Sequence, residues 1–92
     1  MTSYKIIYRN DAIRFLKKNK AIGVRFIKAF TELSEKHLDA FCGYDIKQLK
    51  GYEDMYRLRI GKYRAVYRVK NDKLLILVVN IGSRGDIYKQ RA

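Results

Sequence analysis

The amino-acid sequence predicts an α+β fold: an N-terminal strand, a helical hairpin, then a three-stranded antiparallel meander, with the helices packed on one sheet face. Three observations predict it. Apolar positions recur at helical spacing from Ile22 through Phe26, Ala29, Phe30 and Leu33 to His37. From Tyr56 to Val69 the chain instead alternates apolar and polar residues around Gly61-Lys62, the pattern of two strands joined by a two-residue turn. Leu74 to Ile81 is apolar on both faces, as expected of a central strand. With 92 residues, 48% of them hydrophobic, the whole chain is read as one small globular domain, residues 1–92.

The elements follow in order. Ser3 to Tyr8 is a β-branched and aromatic run that reads as a first strand. Asn10 offers a helix N-cap, after which Ile13 and Leu16, with Ala12 beside them, form a stripe that leaves Arg14, Lys17 and Lys18 outside. Asn19-Lys20 marks a turn or weak break. In the longer helix that follows, Phe26, Phe30 and Leu33 are the expected anchors, Ile27 widens the stripe, and Gly23 weakens the helix without stopping it. Asp39 to Glu53 has no sustained period and is read as a loop packed down by Phe41, Ile46 and Leu49. A second two-residue turn at Asn71-Asp72 leads into Leu74 to Ile81, and a short basic tail closes the chain.

The Gly61-Lys62 turn fixes a register. Ile60 faces Tyr63, Arg59 faces Arg64, Leu58 faces Ala65, Arg57 faces Val66 and Tyr56 faces Tyr67. Strand side chains alternate, so Arg57, Arg59, Arg64 and Arg68 project from one face, while Leu58, Ile60, Ala65, Tyr67 and Val69 project from the other. One face is built to pack and the other to hold anions. Like charges directly opposite destabilise a sheet, and an external anion would relieve the Arg59/Arg64 repulsion. Lys47 and Lys50 extend this surface toward the start of the first hairpin strand. Gly82-Ser83-Arg84-Gly85 leaves the last strand, placing Arg84 at the mouth of the cationic face and Tyr88 just beyond it.

Composition narrows the partners. Twenty-one Lys and Arg against nine Asp and Glu give a net charge of +12, so the expected partner is a polyanion and its affinity should fall with salt. The N-terminus lacks the pattern of a secretory signal, and no run approaches the roughly 18 apolar residues of a membrane span. A cytoplasmic protein without membrane contact is expected. The single cysteine, Cys42, excludes an internal disulfide and reads as packing. His37, the one histidine, sits at a helix end where imidazole favours the dipole. No metal-ligand spacing, phosphate-binding glycine loop or Ser/His/Asp arrangement is present, and no cofactor is expected.

The combination IKQLKG, YRLRIGKYRAVYRV and LVVNIGSRGDIY resembles the RelE/ParE superfamily of bacterial and archaeal toxin-antitoxin toxins, and within it the RelE branch. The resemblance covers essentially the whole chain. Its most specific parts are Leu-Lys-Gly, Arg-x-Gly-x-Tyr-Arg-x-x-Tyr and the Gly-x-Arg near the C-terminus, with a tyrosine four residues after that arginine. It implies a ribosome-dependent endoribonuclease that cleaves mRNA in the A site, neutralised by a RelB-like antitoxin. It also implies that Arg57 and Arg59 position phosphate, that Arg64 and Arg84 meet transition-state charge, and that Tyr88 stacks on a base or relays a proton. Two departures stand out. RelE toxins carry lysines where this chain has Arg57 and Arg59, and many relatives have histidine at Ser83. Arginine is a poor base at neutral pH, so the general base and acid stay open. Two rival readings share the fold and the charge: a ParE-like inhibitor of DNA gyrase that cleaves nothing, and a non-catalytic RNA-binding relative.

Overall fold

The computed structural model describes residues 4–35 and 43–83. Within them β1 (Lys5–Tyr8), α1 (Asn10–Lys18) and α2 (Lys20–Glu35) precede four further strands: β2 (Asp45–Gln48), β3 (Met55–Ile60), β4 (Tyr63–Lys70) and β5 (Leu75–Ser83). They form a five-stranded sheet in the order β1-β5-β4-β3-β2. The meander β3-β4-β5 is antiparallel, and β1 pairs with β5 in parallel, from Lys5 opposite Leu75 to Tyr8 opposite Val78. The strand expected to be central, β5, lies between β1 and β4.

Both helices cover one face, as the sequence predicts. Phe26, Phe30 and Leu33 are fully buried with Ala12 and Ala29, and they meet Leu58, Ala65, Tyr67, Ile76 and Val78 from the sheet. Tyr67 is the pivot: its ring stands edge-on to Phe30 at 5.1 Å and stacks on its cross-strand partner Tyr56 at 5.7 Å. Phe15 of α1 packs edge-on against Tyr63 at 5.3 Å and Phe26 at 6.3 Å. The helices are separated by Asn19 alone, whose backbone N–H and side-chain amide both donate to the Phe15 carbonyl. Gly23 is explained by this tight junction, since a Cβ there would sit 3.1 Å from Leu16 Cδ2.

Several local expectations are corrected. Asn10 is the first residue of α1; Arg9 takes the cap position, without a side-chain bond. Ile13 and Ile27 are exposed, so the apolar stripes are narrower than their residue types suggest, and Phe15 supplies the contact assigned to Ile13. Asp39 to Glu53 is not all loop: Asp45–Gln48 forms the edge strand β2 on β3. The second turn is a four-residue 3-10 connection, with Leu74 at a φ of 49° closing it before β5 begins at Leu75. His37, Phe41 and Cys42 lie outside the described residues.

Candidate nucleic-acid interface

The face opposite the helices is built from three rungs of paired residues. Gly61 adopts a φ of 62°, and the tight turn it allows sets the β3/β4 register as expected, from Ile60 opposite Tyr63 to Tyr56 opposite Tyr67. The rung nearest the turn reads Asp45, Arg59, Arg64, Gly82 across β2, β3, β4 and β5. The next reads Lys47, Arg57, Val66, Asn80. The third pairs Met55 with Arg68 and Arg68 with Leu77. Four residues of extended strand place Arg64 and Arg68 roughly 13 Å apart.

These cations differ in how they are compensated. Asp45 bridges two of them: its Oδ1 lies 3.4 Å from an Arg57 terminal nitrogen and its Oδ2 lies 2.9 Å from Arg59 Nε. Arg57 is held deep in the sheet, its side chain 9% exposed, whereas Arg59 is half exposed. Arg68 Nε pairs with Asp54 at 3.3 Å. Arg64 makes no ion pair among the described residues, and its neighbour on β5 is Gly82, which adds no side chain beside it. The anion expected from outside to relieve the Arg59/Arg64 repulsion is thus partly supplied from inside, by a carboxylate on a strand the sequence did not announce. Asp45 is the residue of this face that sequence reasoning missed. The alternation Asp45-Ile46-Lys47 carried a weak signal for it.

Of the remaining candidates, Lys47 stands opposite Arg57 and joins the face. Lys50 lies beyond the end of β2, where it borders a shallow recess lined by Gln48 to Glu53. Arg84 and Tyr88 fall outside the described residues. No group of three or more His, Cys, Asp or Glu side chains suited to a metal ion occurs among the described residues. No described helix is long and apolar enough to cross a membrane.

Residues 4–88 match the family model described as the ParE toxin of the type II toxin-antitoxin system parDE. The chain belongs to the RelE/ParE toxin superfamily. A protein of Escherichia coli named as a RelE-like toxin is 32% identical over 91 residues, covering 92% of this chain and 90% of its own. A Methanocaldococcus jannaschii protein named as toxin RelE1 is 46% identical over 46 residues, about half of either chain. Among solved structures, the archaeal RelE-RelB complex of Pyrococcus horikoshii contains a chain that superposes with a TM-score of 0.75 at 26% identity. That match covers 90% of this chain and 97% of the other. The protein is therefore a RelE-like toxin of the type II class, with the α+β architecture of that group.

Proposed function

We propose that the protein cleaves messenger RNA in the ribosomal A site, with the three-rung cationic face as its RNA surface. The observation that carries this reading is Arg64: a guanidinium on an inner strand, beside a glycine, without an ion-pair partner among the described residues. A cation left uncompensated next to a like charge is suited to meet negative charge that develops during a reaction. In the proposed reaction the 2′-hydroxyl loses its proton and attacks the adjacent phosphorus while the bond from phosphorus to the 5′-oxygen breaks. The products are a 2′,3′-cyclic phosphate and a 5′-hydroxyl, which takes up a proton.

Arg64 and Arg84 are assigned to the charge on the phosphorane oxygens, Arg57 and Arg59 to holding the backbone, and Lys47 and Arg68 to flanking phosphates. Tyr88 is assigned to base stacking or proton relay. The partner proposed for the resting protein is a RelB-like antitoxin, supported by the RelE-RelB complexes of the archaeal structural relatives. Shielding a chain of net charge +12 would also remove self-repulsion.

Primer extension across a defined message in a translating extract tests this reading. Position-specific breaks that require ribosomes are expected. The description of the matching family model as ParE favours one other reading, inhibition of DNA gyrase by contact. Intact message together with arrested supercoiling by purified gyrase would establish it instead.

A further inference from the structure

We infer that Asp45 is a resident counter-ion occupying the phosphate clamp of Arg57 and Arg59, which RNA must displace to bind, so that this carboxylate determines which polyanions the face accepts. The inference rests on the reading of this face as an RNA surface. Its geometry is that of a stand-in. The carboxylate spends one oxygen on each arginine, at 3.4 and 2.9 Å, as the two non-bridging oxygens of a phosphodiester would. Asp45 is fixed in that place from two directions. It lies directly opposite Arg59 in the β2/β3 ladder, and its neighbour Tyr44 donates a hydrogen bond to Glu32 of α2 at 2.8 Å.

The exchange is feasible because the two ends of the clamp differ in exposure. Arg57 is buried and requires an anion, since an unpaired buried charge is costly. Arg59 and Asp45 are 50% and 39% exposed, so their mutual attraction is screened and a phosphate can compete for it. Asp45 also borders a recess of 410 Å³ whose lining includes Arg25 and Lys28 of α2, which gives the displaced carboxylate other cations to face. A weak polyanion therefore meets a clamp already filled. A strand that also engages Arg64, Lys47 and Arg68 gains enough to empty it.

The test measures binding of a non-cleavable 2′-O-methyl oligonucleotide to the full chain by fluorescence anisotropy over a range of salt concentrations. Because this probe is never cut, failure here is separate from failure of the cleavage reading. Asp45→Asn should bind roughly three- to tenfold more tightly. Its logarithmic salt dependence should be steeper than the wild type's by up to about 0.7, because in the wild type the displaced carboxylate takes up a cation that offsets one of those released from the RNA. The gain should vanish in an Arg59→Gln background. Unchanged or weaker binding by folded Asp45→Asn would overturn the inference, as would a gain that persists without Arg59. In the wild-type chain, titration with tripolyphosphate should move the Asp45 carboxyl carbon resonance saturably, whether or not the variant folds. A resonance that stays put while tripolyphosphate binds would also overturn it.

Discussion

Tyr67 and Tyr8 carry phenols in the apolar layer between sheet and helices, and neither hydroxyl has a hydrogen-bond partner among the described residues. Desolvation pushes the Tyr8 phenol up from 10.0 to about 12, and it raises Tyr67 as well, with neighbouring Tyr56 adding to the effect. Both groups hold their protons more tightly folded than unfolded. Their contribution is therefore fully present below about pH 10 and is lost as the pH climbs from there through the folded values. Thermal midpoints should fall steadily above pH 10. Tyr67→Phe should flatten that decline and, by removing an unsatisfied buried hydroxyl, stabilise the protein at neutral pH by about 1 kcal/mol. A lowered midpoint at neutral pH would mean that the hydroxyl has a partner. Residue-scale burial was legible where helical spacing was strict, at Phe26, Phe30 and Leu33. It was not legible at Ile13 and Ile27, because an apolar side chain at the margin of a stripe is compatible with either side.

Among the elements, the β3/β4 hairpin is the one on which the site depends. Its register was readable from the sequence because a two-residue turn admits one pairing, and the facing Arg59 and Arg64 followed from it. Gly61→Val forces a β-branched residue to a φ of 62° and should cost about 1–2 kcal/mol. If the turn slips to escape that strain, RNA cleavage should fall further than stability does; a variant with full activity would uncouple register from function. At the α1/α2 junction, Gly23→Leu should cost about 1–3 kcal/mol by overpacking against Leu16. That loss would register as a lowered urea midpoint, with cleavage per folded molecule unchanged, because the junction lies on the face opposite the arginines. The edge strand β2 was hidden because Asp45–Gln48 contains one apolar residue, Ile46, and only pairing with β3 makes it a strand. The Asn71-Asp72 signal misplaced the second turn because nothing in the sequence marks Leu74 for a left-handed conformation.

As a whole the molecule divides its labour between two faces of one sheet. One face is closed by the helices and contributes the core; the other gathers Arg57, Arg59, Arg64 and Arg68 with Lys47, partly neutralised by Asp45 and Asp54. Charge and alternation were enough to separate these faces from sequence alone, since one followed from composition and the other from a fixed register. The pairing of cations with carboxylates was not, because it depends on strands and loops brought together from distant parts of the chain. With net charge +12, affinity for single-stranded RNA should fall with salt by about 0.7 logarithmic units per phosphate bound. A flat dependence would deny that the cationic face is the contact surface.

Cleavage in the A site and the role of Arg64 in it are tested together by single-turnover cleavage of an mRNA held in the A site of programmed ribosomes, at saturating protein, comparing the wild-type chain with Arg64→Ala. Cleavage by the wild type is expected, with a rate about 10²- to 10³-fold lower for Arg64→Ala and ribosome binding nearly unchanged. An Arg64→Ala protein that cleaves at the wild-type rate, or a wild-type protein that binds programmed ribosomes and leaves the message intact, would contradict it.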